Sequence, residues 1–218
     1  MRRLLAIALL CAAVSACGGG SDSNEESSRL QVAIDPEALA RAESMLLQLT
    51  DFPDGWRAGE PSEEDEEGDE AFRDCVGVDF SEFTVIGEAG SDDFAMGETA
   101  TASSEAKVFE TEEMAADAIA RFADAMDSAE ADACMTDFLG EFEDESVEIA
   151  GAEVGELSFT PPSGVDDAKA WQVAISIEGK AGSQADGVSA TGYVDLVQLR
   201  SGAGVSEVTT VDVFRLRR

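Results

Sequence analysis

The sequence predicts an α+β fold: an antiparallel sheet of about four to six strands, two to three helices packed on it, and one disulfide as a staple. Three observations carry this expectation. Helical periodicity falls early in the chain, strand periodicity falls late, and the late segments are joined by short polar loops. A chain of 218 residues, 44% apolar and 28% charged, can bury a sizeable core.

The elements follow in order. Asp35-Pro36-Glu37 is a helix start, with an N-cap acid, proline at the first position and an acid near the positive end of the dipole. Leu39, Ala42, Leu46 and Leu49 follow at helical spacing and predict a helix ending near Thr50. Asp51 to Trp56 reads as a turn carrying two aromatics. Glu60 to Glu70 holds eight acids in eleven residues and reads as a solvated loop. Glu63, Asp65, Glu67 and Gly68 imitate part of a calcium-loop spacing, but a Glu stands at the first ligand position and Ala71 at the ninth.

Phe80, Phe83, Val85 and Ile86 supply core material in a less regular section opened by Cys75. Ala95 to Phe109 reads as extended. Thr111 caps an amphipathic helix with Ala115, Ala118, Ile119, Phe122 and Met126 on one face. A second helix runs from about Glu130 to Leu139, with Ala131, Cys134 and Phe138 sharing a face and Gly140 as its stop. Val147 to Phe159 adds a strand. Trp171, Val173, Ile175 and Ile177 alternate with smaller or polar residues in a period of two. Val188 to Leu199 and Val205 to Leu216 complete an antiparallel meander.

The first residues give an address. Arg2 and Arg3 precede an apolar run from Leu4 to Val14, too short to span a bilayer. Val14-Ser15-Ala16-Cys17 and a glycine-serine stretch follow. This order resembles a bacterial lipoprotein signal. The resemblance implies a leader over 1–16, a diacylglyceryl thioether and an acyl chain such as palmitate on Cys17, and a flexible tether over 17–33. One α+β domain then fills 34–218. The competing reading is an ordinary secretory signal in which Cys17 is incidental.

Cys75 and Cys134 remain once Cys11 and Cys17 are assigned to the leader and the anchor. Outside the cytoplasm a disulfide is the default for such a pair. Two free buried thiols are the alternative.

Composition limits the chemistry. There is no histidine, which removes Ser-His-Asp and Cys-His nucleophile systems and His-containing metal sites. A net charge of −33 argues against nucleic acid as a partner and against electrostatic adhesion to anionic lipid. With 47 acids, no carboxylate pair stands out for acid–base work. Ser104-Glu105-Ala106-Lys107 matches the S-x-x-K pattern of penicillin-recognising enzymes, but the companion motifs are absent and the segment reads as extended. Trp56 and Trp171 suit either a ligand pocket or an ordinary core. Arg215, Arg217 and Arg218 form a small basic patch.

From residue 37 onward the order of parts resembles exported actinobacterial lipoproteins and the sensor-domain family on the outer face of the mycobacterial receptor kinase PknH. The shared order is a short helix, a Phe-Pro-Asp-Gly-Trp turn, a cysteine, Val108-Phe109 before an alanine-rich helix, a second cysteine and antiparallel strands. The resemblance implies a small α+β domain on the outer membrane face with a ligand-binding cleft. It carries over no functional residue, and this chain has one candidate disulfide where that domain has two.

The leading expectation is a non-enzymatic binding or sensing module of the cell envelope, held to the membrane by its lipid anchor. It has no cofactor and no catalytic or metal-binding residue. Its partner is a small molecule or a cell-envelope protein. The alternatives are a carrier of an apolar envelope lipid in a cleft and a hydrolase using carboxylates or a metal. The acidity suits solubility by self-repulsion, a salt-rich habitat or calcium binding.

Overall fold

The computed structural model describes residues 35–59, 71, 73–97, 100–140 and 145–217. The leader over 1–16, Cys17, the tether over 17–33 and the acidic segment 60–70 lie outside the described residues. Among the described residues the fold is α+β, with one antiparallel sheet of eight strands and four helices.

Helix α1 spans Pro36–Glu43, and Asp35 Oδ1 accepts from Glu37 N as its cap. It is shorter than its leucine spacing predicts. Ser44 stops it by sending its N–H back to Ala40 and Arg41 carbonyls and its hydroxyl to Arg41 O. The chain then drops onto the sheet, where Leu47 N donates to Ser104 Oγ over 2.9 Å. Leu49 leaves the expected apolar face. It opens a 3-10 turn, Leu49–Asp51, and is 44% exposed.

Strand β1 is Arg57–Ala58 and β2 is Val85–Gly90. Helix α2 includes residues 73–76 between them. Strand β3 is Phe94–Met96 and β4 is Ala100–Phe109. The extended region expected from Ala95 is therefore a hairpin, turned at Gly97 in the left-handed region (φ 66°). Strands β2 and β3 lie along the same edge of β4 as one interrupted strand. Ser91 bridges the interruption, accepting from Ser104 N at its hydroxyl and donating its own N–H to Ser104 O.

Helix α3 is Glu112–Met126, capped by Thr111 Oγ1 accepting from Met114 N. Helix α4 is Ala131–Gly140. Strands β5 (Val147–Glu156), β6 (Asp167–Gly179), β7 (Ser189–Ser201) and β8 (Gly204–Arg217) form the expected meander. The sheet order is β1-β3-β4-β8-β7-β6-β5, with β2 also paired to β4. The strand and helix numbers exceed the sequence expectation because α2 adds a helix and because β1 and β3 are only two and three residues long. Such elements carry no readable period.

Strand β5 is the sheet's far edge, and α4 covers it. Asp132 Oδ1 accepts from Val154 N, and Thr136 Oγ1 accepts from Ala152 N. Two N–H groups that would template another chain are thereby paired. The Cys75–Cys134 disulfide joins α2 to α4, with Cα atoms 5.6 Å apart. Cys134 is buried, as its helical face implies.

The two faces of the sheet are covered differently. On one, Ala38 and Ala42 of α1 pack on Ala106 and Val108, with Met45, Leu46, Ile86 and Ala89 around them. On the other, α3 and α4 lie over β5 and β6, where Trp171, Val173 and Ile175 meet Ala123, Met126 and Met135. A further apolar group, Phe109 with Ala115 and Ala118, closes the β4 end under Phe80 and Phe83.

Candidate functional site

Between the second face and its helices lies a cavity of about 610 Å³, within the range of small-molecule sites. Its position follows from strand alternation. On β4, Ala102, Ser104, Ala106 and Val108 are buried towards α1, so Glu105, Lys107 and Phe109 point the other way. On β8 and β7, Glu207, Thr209, Gln198, Leu196 and Val194 share that side. The floor carries polar groups on β2, β4 and β8 and at Gln198 of β7, and is apolar at Val194 and Leu196 of β7 and across β6. Phe122, Met135, Phe138 and Leu139 form the roof.

The rim is held in three ways. Arg121 on α3 donates to Asp79 O and Glu82 Oε2 and lies 4.7 Å from the centre of the Phe83 ring. Phe83 meets Phe109 edge-on, with ring centres 6.0 Å apart. The disulfide fixes α2, which carries Arg73 into the lining, against α4.

At the polar end, Lys107 Nζ lies 2.6 Å from Glu105 Oε1 and 3.1 Å from Glu88 Oε1. Their side chains are 35%, 37% and 49% exposed, so this end reaches solvent. Burial pushes the Glu105 carboxyl up to about 7, its hydrogen bond with Glu88 adds to the rise, and Lys107 offsets part of it. Burial also raises Glu88, but its bond with Glu105 and the Lys107 charge outweigh this and hold it below its ordinary value. For Lys107, burial is outweighed by the two carboxylates, so its ammonium is held well above the usual range. The two carboxyls thus divide their roles: Glu88 is the anion, and Glu105 keeps its proton to near neutrality.

Deeper in, Gln198 is 6% exposed and donates from Nε2 to Glu207 Oε2 over 2.8 Å. Its Oε1 has no partner among the described residues. Glu207 sits directly across the ladder from Glu105.

The sequence-singled residues distribute as follows. Cys75 and Cys134 are brought together. The S-x-x-K residues are separated: Ser104 faces α1 and Lys107 faces the cavity, so they cannot act as one nucleophile system. Trp171 is core. It is 2% exposed, packs edge-on against Phe122 and donates its indole N–H to Asp127 Oδ1. Trp56 stacks on Phe52, with ring centres 4.5 Å apart, which in turn meets Phe94. Neither tryptophan lines the cavity. The cavity's polar residues were missed, although one signal existed: small residues alternate with Glu105 and Lys107 along β4. Among the described residues, no three or more Cys, Asp or Glu side chains are grouped to hold a metal ion, and no helix is long and apolar enough to cross a membrane.

No protein family, curated protein or solved structure matches the chain.

Proposed function

We propose that this chain is a non-enzymatic binding module of the cell envelope, lipid-anchored at Cys17 on the outer face of the membrane, that takes an apolar small molecule. One observation carries the binding reading: the cavity of about 610 Å³, lined mainly by Phe, Val, Ile, Leu and Met side chains and open at a charged end. An ordinary core closes such space, because unfilled apolar volume costs stability. The leader pattern supports the address, and the resemblance to envelope sensor domains supports a sensing role. The apolar depth of the site also suits a lipid carrier. Transfer of a labelled lipid between vesicles separates carrier from sensor.

The test is the native mass spectrum of the full-length chain, recorded without prior denaturation. The expected result is an added mass in the lipid or metabolite range that disappears on denaturation. Val194→Trp, which fills the cavity from its floor, abolishes it. A bare monomer mass, together with no uptake of the apolar dye N-phenyl-1-naphthylamine, sinks the reading.

A further inference from the structure

The cavity is two-ended, and its ends differ in kind. One end, at Val173 and Ile175 of β6 and Val194 and Leu196 of β7, offers only apolar surface. The other end offers acceptors. Gln198 is 6% exposed, and its Oε1 is an acceptor without a donor among the described residues. A buried polar atom left so is destabilising and rare in native proteins. Beside it stand Glu207, which already receives the Gln198 amide, and Glu105 directly across the ladder. Lys107 on the neighbouring strand is engaged by Glu105 and Glu88. What Oε1 itself lacks among the described residues is a donor.

We propose that the occupant is an amphiphile whose head donates hydrogen bonds to Gln198 Oε1 and the Glu207 carboxylate, its apolar body lying along β6 and β7 under Phe122 and Phe138. The head is a hydroxyl or a primary ammonium, since both satisfy the same acceptors. A carboxylate or sulfate head meets Glu207 and an acceptor amide, and is rejected. This inference rests on the proposed binding role and specifies its ligand class.

The experiment displaces N-phenyl-1-naphthylamine from the full-length chain with four ten-carbon probes: decan-1-ol, decan-1-amine, decanoate and methyl nonyl ether. The ether is an isomer of the alcohol without the donor. The alcohol or the amine is expected to displace the dye at about tenfold lower concentration than the ether, with decanoate weakest, as one satisfied buried acceptor implies. Whichever of the two is stronger identifies the head. Gln198→Met removes the acceptor without changing the side-chain length, and is expected to weaken the stronger donor probe about tenfold and leave the ether unchanged. Equal displacement by alcohol, amine and ether in the unmodified chain overturns the inference while leaving apolar binding intact. That comparison needs no variant to fold. Failure of the dye and of every probe to bind overturns the binding role as well.

Discussion

One face of the sheet is closed by small residues, and the other is held open by large and charged ones. Under α1, Ala38, Ala42 and Ala106 meet with nothing bulky between them, and Gly87 lets the helix backbone come closer still. A Cβ at Gly87 would sit 2.5 Å from the Ala38 carbonyl carbon. Under α3 and α4, the rings of Phe80, Phe83, Phe122 and Phe138 stand around the space, and Glu105, Lys107 and Glu207 rise from its floor. An apolar helix cannot settle onto three ionisable side chains without stranding them. The same β4 strand serves both faces. Its even-numbered residues from 102 to 108 make a contact surface, and its odd-numbered residues from 105 to 109 make the wall of a chamber.

The contrast predicts where the molecule depends on a covalent tie. The closed face is held by packing. The open face, with incomplete packing, is tied by the disulfide between α2 and α4, whose half-cystines are 59 residues apart. Replacing both, Cys75→Ser with Cys134→Ser, is expected to cost about 4 kcal/mol by the chain-entropy model, read as a lower urea midpoint. Dye uptake should fall with it, because α2 no longer fixes the rim. A loss below about 1 kcal/mol would show that packing alone holds the open face.

A smaller effect tests the contrast directly. Gly87→Ala forces backbone apart on the closed face and is expected to destabilise by about 3 kcal/mol, at the upper end for overpacking. Val194→Leu adds a methylene on the open face, where space exists, and is expected to change stability by less than about 1 kcal/mol. Equal costs at the two positions, measured by urea unfolding, would mean that the cavity is not free volume.

Much of this architecture was legible in the sequence, for physical reasons that also explain what was not. Strands β6, β7 and β8 are each 13 or 14 residues long and pack one face inward, so their period of two survives in the residue order. Thr111 and the face from Ala115 to Met126 declare α3 in the same way. Helix α1 misled because Leu46 and Leu49 continue its spacing, yet the backbone leaves the helix at Ser44 for a hydrogen bond to Ser104 that no local pattern announces. The cavity was invisible for a stronger reason. Glu105 and Glu207 become neighbours only through the β4–β8 pairing. Among 47 acids, nothing local marks these two.

The weakest expected effect is the most specific to the open face. Glu105 is raised from 4.5 to about 7, first by burial and then by its bond to Glu88. A carboxyl raised in the folded state binds its proton more tightly there than in the unfolded chain. Its contribution to stability is therefore fully present below pH 4.5, falls as pH rises to about 7, and is flat beyond. Glu88, held low, contributes with the opposite sign, and only below its ordinary value of 4.5. The two windows do not overlap, so the slope between pH 5 and 7 isolates Glu105. Because its side chain is 37% exposed, solvent screening reduces the amplitude to on the order of 1 kcal/mol. Glu105→Gln removes the titration and keeps the shape. The expected outcome is that unfolding free energies of the variant and the parent chain converge at pH 5 and separate by pH 7.5, with the variant the more stable. The many exposed acids cancel in this difference, since both chains carry them. Parallel curves across that range would mean that Glu105 ionises freely, and that the open face tolerates Glu88 and Glu105 both as carboxylates beside Lys107.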